Sequence, residues 1–471
     1  MLPLPLFVSP RHLCVAVVLS FAAVWESAHA VAAALDDRKT VEATIAAAKL
    51  DANATQVGDS EPKKKKKKAK GATDGTTESK RKARHPGFSV GKTLNVELTG
   101  RIEGGVRNAS SAVGLDGARA EWQDRRLGVK GTAFKRINFE VARELGEDFE
   151  TSAGLSEKTA WRDVYASVRL AKPLSVQAGH FKLPFGYEEL TGETDLDFIN
   201  RSLAARVLSP GRDTGIMVDG RIGGRRFEYR AGYFTRDGEN ARTSQTEGGR
   251  GTFATHVAFS SNTPKDAPFT FEIGGSASRS QIDGNLGLRG RTVLGDGIFF
   301  DRSFVNGTRQ RIGLESAVAA GPVSVSAEYI RDDDERLGMG FDGEDLPSIR
   351  ASAWYLAGTW ALTGERKHGR LDPRHDFLNG GIGALELAAR YERLLFNDST
   401  YPGEQYGFPA TSKLAGNSDR ALTVGLNWYL NEYVKLQGNV IVETIADPSR
   451  SPAPSTNGRF TSTLFRVQIR L

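Results

Sequence analysis

The sequence predicts an all-β protein: a transmembrane antiparallel β-barrel of about 16 strands behind a short flexible N-terminal extension. Three observations carry this. Short runs of alternating apolar and polar residues recur from Gly91 to Leu471. Past residue 30 no apolar run approaches the roughly 18 residues that a membrane-spanning helix needs. The N-terminus reads as an export signal.

That signal occupies residues 1–30. Arg11 and His12 supply a short positive region, residues 13–25 an apolar stretch, and Ala28-His29-Ala30 an A-x-A cleavage site. The apolar stretch is too short to span a bilayer, so cleavage is expected over anchoring. The single cysteine, Cys14, lies within it. A mature chain without thiols has no disulfides, thiolate metal sites or cysteine nucleophiles. A barrel needs none of these, because its closed hydrogen-bonded ladder does the cross-linking.

Residues 31–85 differ in composition from the rest. Residues 31–50 are alanine-rich and favour a short helix. The run Lys63 to Lys68, then Lys70, Lys80, Arg81, Lys82 and Arg84, repels itself and buries no apolar surface, so it reads as a disordered tether. Two roles fit it: a solvated spacer, or a periplasmic polycation that attracts polyanions. Export argues against nucleic acid as its partner. From Pro86 onward acidic and basic side chains balance, so the net charge of +6 arises upstream. Arginine far outnumbers lysine in that later part, and its planar fork suits repeated contact with oxyanions.

Residues 86–471 form the expected barrel. Leu94, Val96 and Leu98 alternate with Asn95, Glu97 and Thr99, and Val164, Ala166, Val168 and Leu170 with Asp163, Tyr165, Ser167 and Arg169. A period of two places each set on one face of a strand. Trp122, Trp161, Trp354, Trp360 and Trp428 fall near run ends, as aromatic girdles require. The polar faces suit a wet lumen more than a packed core. A last run, Thr463 to Leu471, would close the barrel on its first strand and leave no edge.

Several segments, in order, resemble the phosphate-selective porin O and P family. They include Arg125-Arg126-Leu127-Gly128-Val129-Lys130-Gly131, then Gly179-His180-Phe181-Lys182-Leu183-Pro184-Phe185-Gly186, then Pro210-Gly211-Arg212-Asp213-Thr214-Gly215. Leu385 to Tyr391 and Val424 to Tyr429 follow. The resemblance implies an outer-membrane porin of 16 strands, trimeric, with an inward-folded loop and arginines along a phosphate path. Leu471 departs from it where an aromatic is usual, and the lysine tether has no counterpart.

Alternation also yields candidate anion-binding residues. If Leu127 and Val129 face lipid, Arg126 and Lys130 face inward; the same parity turns Arg101, Arg169, Arg230, Arg311, Arg390, Arg466 and Arg470 inward. A mid-membrane charge on the lipid face costs about 2–4 kcal/mol, so parity is well enforced. Residues 188–210, with Arg201, Arg206 and nearby Arg212, form the candidate constriction loop; an ordinary external loop is the alternative. Glu97, Glu103, Asp163, Glu228, Glu386 and Glu392 also point inward, so many of these arginines would simply neutralise the wall. The expected partners are phosphate or other small anions, membrane lipid and further copies of the chain; no cofactor or metal is expected. Asp332 to Glu335 reads as a solvated external loop rather than a cation site. The sequence lacks G-x-S-x-G and H-E-x-x-H, which argues against an enzyme. A weakly selective pore and a barrel anchor for the tether remain the competing readings.

Overall fold

In the computed structural model the described residues are 86–471 without 92, 110–118, 146–148, 151–155, 158–160, 225, 241–249, 262–267, 295–296, 301–303, 341, 399–416 and 447–457. The expected export signal and lysine-rich tether lie outside them. The alternating runs become the strands of one antiparallel sheet: β1 Gly87–Val90, β2 Leu94–Ala109, β3 Arg119–Ala133, β4 Ile137–Glu144, β5 Trp161–Ala171, β6 Leu174–Lys182, β7 Arg212–Ile222, β8 Phe227–Phe234 and β9 Thr252–Ser260. The sheet continues through β10 Phe269–Leu286, β11 Phe304–Ala320, β12 Val323–Arg336, β13 Leu346–Ala361, β14 Ala384–Asp398, β15 Asn417–Tyr429, β16 Val434–Ile445 and β17 Arg459–Arg470.

Each strand pairs with its neighbour in sequence, and β17 returns to β2 in the register Arg470↔Arg101 to Ser462↔Ala109. β1 covers the rest of that edge, from Val90↔Leu94 to Gly87↔Glu97. Leu471 N–H donates to Gly100 O (2.8 Å) and Leu98 N–H to Pro86 O (2.7 Å), so β17 and β1 meet end to end along β2. They share one position, which makes a closed barrel of 16 strands, as the alternation predicted. Closure leaves no unpaired ladder facing hydrocarbon.

The two ends of the barrel differ. At one, most strands are joined by tight turns such as 134–136, 172–173 and 321–322, with 362–383 a long exception; at the other the connections are long, among them 183–211, 235–251 and 287–303. Short periplasmic turns and long external loops are the usual asymmetry of outer-membrane barrels. Leu127, Val129, Val168, Leu170, Ile216, Leu422 and Leu426 stand exposed on the outer face. A continuous apolar belt of this kind needs lipid, not water, around it.

Trp122 and Trp161 lie toward the long-loop end and Trp360 and Trp428 toward the turn end, as a pair of girdles requires. Trp354 departs from the expectation. It sits in the middle of β13, packed on Tyr391 with ring centroids 5.6 Å apart. The reason is length: β13 has 16 residues, several more than the roughly 9–11 that cross a bilayer. The strand begins at Leu346, eight residues before Trp354, so Trp354 lies inside it instead of near its end.

The expectation of a wholly wet lumen also needs correcting. Residues 183–211 fold into the barrel, as the sequence suggested for 188–210, but so do residues around Leu288 to Phe300. Phe198, Leu203 and Leu208 from the first segment and Phe299 and Phe300 from the second join Ile330, Ala353, Tyr355 and Phe396 of the wall in one apolar cluster. Phe300 stacks on Phe396 at 3.9 Å. Inward wall positions are small or apolar where the apolar side chains of these segments land, as at Ala353, Ala388 and Ala421.

Asp332 to Glu335 is a second correction, since it belongs to β12 and not to a loop. Asp332 and Asp334 point inward and are buried beside Arg309 and Arg311. Asp237, on the 235–251 connection, accepts from Arg311 Nη1 at 2.7 Å and Nη2 at 2.9 Å, and from Arg309 Nη1 at 2.6 Å. Burial opposes the charge of Asp237, but the two guanidiniums outweigh it and hold its carboxyl well below the usual range. This network pins an external connection to the inner wall. Arg311→Met removes one of the two guanidiniums that Asp237 and Asp332 share and is expected to cost roughly 3–5 kcal/mol, read as a lowered urea midpoint of the refolded barrel. A midpoint equal to wild type would mean that the network does not hold the connection.

Candidate functional site

The first infolded segment begins where β6 ends. Leu183 and Phe185 turn inward, and Gly186 takes φ +76°, a conformation that L side chains rarely adopt. A Cβ there would also meet Glu328 Oε1 at 2.7 Å. That carboxylate receives Tyr187 N–H on Oε1 (2.9 Å) and Glu188 N–H on Oε2 (3.3 Å), so β12 holds the start of the loop.

Further along, inward polar side chains capture the segment's backbone. Ile199 N–H donates to Asn439 Oδ1 (2.9 Å), Leu203 N–H to Glu392 Oε2 (2.6 Å) and Asn427 Nδ2 to Asp197 O (2.8 Å). Arg390 donates to Glu392 and Glu188 (3.0 Å each) and to Asn200 O (3.1 Å). It also lies 4.6 Å from the Phe198 ring centroid. Arg466 binds Glu103 (2.7 Å), Gln437 (2.6 Å) and Ile199 O (3.1 Å). From the turn end, Lys367 on the 362–383 connection bridges Asp197 of the segment and Glu386 of the wall.

Two cavities flank the segment. One, of about 630 Å³, runs along β2 to β8. Its lining brings together Arg101, Arg126, Arg169, Lys182, Arg212 and Arg230 with Glu140, Asp163, Glu193 and Asp219, and adds Ser167, Ser175, Gln177 and Thr194. The other, of about 340 Å³, runs along β9 to β13. Its charged lining is mostly acidic: Glu188, Asp195, Asp197 and Glu272, with Lys367. The infolded segment thus has a cation-rich side and an acid-rich side.

The predicted residues divide between these surroundings. Arg126 faces the larger cavity, 3.3 Å from Glu144 and 3.9 Å from Glu193. Arg169 and Arg230 line the same cavity, and Arg230 pairs with Glu228. Arg212, the first residue of β7, chelates Asp163 through two hydrogen bonds of 3.1 Å. Lys130 is half-buried, 3.9 Å from Glu97. Arg201 donates to Glu188 O and Thr191 O within the segment, and Arg206 to Val293 O of the second infolded segment. Arg311, Arg390 and Arg466 are buried in the seams between wall and loops. Parity turned them inward, but carboxylates and carbonyls occupy their guanidinium groups.

Arg101 was legible from parity; Lys182 and Glu193 were not. Alternation puts Lys182 on the opposite face from Ser175 and Gln177, yet the chain turns inward there and Lys182 donates to Glu189 O. Glu193 sits among Arg101, Arg126, Arg201 and Lys182. Burial raises the cost of its charge, and those cations, led by Arg101, overcome that cost and hold it well below the usual carboxylate range.

The family described as phosphate-selective porin O and P matches residues 96–469. Porin O of Pseudomonas aeruginosa is 23% identical over 376 residues, 73% of this chain and 82% of that protein. Among solved structures, the outer membrane channel DcaP of Acinetobacter baumannii aligns with TM-score 0.50 at 10% identity, over 82% of this chain and 99% of that one. The anion-selective porin from Comamonas acidovorans aligns with TM-score 0.48 at 14% identity, over 80% of this chain and all of that one.

Asp197 offers a test of how the segment is held. Burial pushes its carboxyl up to about 6, against the pull of Lys367. A carboxyl raised on folding keeps a proton that the unfolded chain releases, so its contribution falls as pH rises from about 4 to about 6. Unfolding midpoints across that window should therefore drop less in Asp197→Asn than in wild type. Parallel curves for the two proteins would remove Asp197 as the source.

Proposed function

The chain belongs to the phosphate-selective porin O and P family, and we propose that it passes phosphate, or short polyphosphate, by passive diffusion through an arginine-lined path. A porin of the outer membrane is a channel and not an enzyme, so its chemistry is one of attraction and release. The observation that carries the proposal is the larger cavity, where six cationic side chains meet four carboxylates beside the constriction segment.

Arg126, Arg169 and Arg230, with Arg101, Lys182 and Arg212, supply the path. An entering oxyanion exchanges water for charge-assisted hydrogen bonds, and the neighbouring carboxylates keep each contact weak enough for exit. Arg201, Arg206, Arg390 and Arg466 serve the path indirectly by holding the infolded segments, and Arg311 by holding the 235–251 connection. Lys130 adds positive charge near the turn end. As in other porins, three copies of the chain would assemble side by side.

A weakly selective pore is the second reading, favoured by Glu140, Asp163, Glu193 and Asp219 in the same lining. An anchor for the basic tether is the third, and deleting residues 63–84 would abolish function while leaving conductance intact.

Single-channel current in chloride, titrated with phosphate, separates the first two readings. Phosphate should block chloride current in wild type, and Arg126→Gln with Arg169→Gln should weaken that block about tenfold or more, since two exchanged charges each contribute about 1 kcal/mol. Ohmic current indifferent to phosphate, with a reversal potential near zero in a salt gradient, would leave only the weakly selective pore.

A further inference from the structure

The outer face of the barrel carries charge where a lipid-facing wall should carry little. Arg393 of β14 lies directly opposite Arg420 of β15, Arg420 opposite Thr444 of β16, and Thr444 opposite Arg459 of β17. All point outward: Arg420 and Arg459 are exposed, Arg393 half-buried. Like charges facing each other across an antiparallel pair are about 5 Å apart at Cβ and destabilise the sheet. Among the described residues no carboxylate forms an ion pair with these three arginines, and Arg393 Nε is buried without a hydrogen-bond partner.

Their height on the barrel identifies what answers them. Arg393 is opposite Trp354, and Trp354 opposite Tyr329. One outward step toward the turn end, Tyr391 and Leu422 are exposed, and the apolar belt begins. Between Arg420 and the turn end of β15 the outward positions are Leu422, Val424, Leu426 and Trp428, about the length of strand that crosses the hydrocarbon, so the arginines stand at its long-loop edge. The row extends sideways to Arg331 and Arg350, which share Asp333 at 2.6 and 2.7 Å. Arg331 and Arg350, with Asp333 between them, thus stand beside the three arginines at the depth of the outer-leaflet headgroups.

We propose that this outward arginine row binds the phosphate groups of an anionic lipid of the outer leaflet. A phosphate between Arg393 and Arg420 accepts from both forks, turns their repulsion into a bridge, and supplies the partner that Arg393 Nε lacks. The inward-facing anion path is a separate surface, so the proposal stands apart from the transported solute.

The test uses the full barrel refolded in neutral detergent, with lipid A, a phosphorylated glycolipid, added in phosphatidylcholine vesicles. Lipid A should be retained in native mass spectra and raise the unfolding temperature, whereas phosphatidylcholine alone or dephosphorylated lipid A should do neither. Each charge near an anionic surface contributes about fivefold in affinity, so Arg393→Gln with Arg420→Gln should weaken retention roughly thirtyfold. That variant should be at least as stable as wild type in neutral detergent, because it removes a like-charge pair. Arg350→Gln with Arg459→Gln should weaken retention similarly if the first variant folds poorly. Equal retention of lipid A by wild type and both variants would overturn the proposal. So would equal retention of the dephosphorylated lipid, full displacement by inorganic phosphate, or a loss of oligomer size that makes this face a subunit contact.

Discussion

In hydrocarbon every backbone N–H and C=O must find its partner within the protein, and the rest of this structure follows from how the chain meets that demand. The ladder closes because β17 and β1 lie end to end along β2, so neither edge of the sheet is left open. Closure sets the direction of every side chain. One parity meets lipid and must be apolar; the other meets the interior and is free to carry charge. Exposed Leu127 and Val129 beside inward Arg126 are the simplest instance.

A barrel of this width encloses more space than its wall side chains fill. Two infolded segments occupy one side of it, and they enter by different means. Apolar side chains such as Phe198, Leu203 and Phe300 pack on a wall that is small or apolar where they land. Backbone groups of the first segment, which would otherwise be buried without partners, are met by Asn439, Glu392 and Asn427. The wall's charges are thus shared between two tasks. Arg390 and Arg466 fasten the first segment, and their burial takes them out of contact with water. Arg126, Arg169 and Arg230 remain at the cavity that the fastened segment leaves open.

Carboxylates are as much a part of this arrangement as arginines. Glu328 grips the first residues of the segment and Glu392 its middle, while Asp237 ties its own external connection to the wall arginines. Buried ions of one sign alone would be too costly to desolvate, so the wall carries both signs in contact. The outer surface breaks this habit at Arg393, Arg420 and Arg459, which is why that patch reads as a binding surface and not as part of the scaffold.

The sequence by itself determined the class of fold, the near strand count, the two faces of each strand and the place of the main infolded segment. Each rests on a local rule, since a period of two and a break between runs do not depend on what lies across the barrel. It also supplied the inward set of arginines and the warning that wall carboxylates would meet them. Which arginine meets water and which is spent on a loop was decided only by tertiary structure. Arg126 and Arg390 have the same parity, but Arg126 lines the cavity whereas Arg390 is buried against Glu188, some two hundred residues away. The second infolded segment, the inward turn of Lys182 and the strand position of Asp332 and Asp334 were hidden for the same reason. Each depends on a partner from a distant strand or loop, and strand alternation says which way a side chain points but not what stands opposite it.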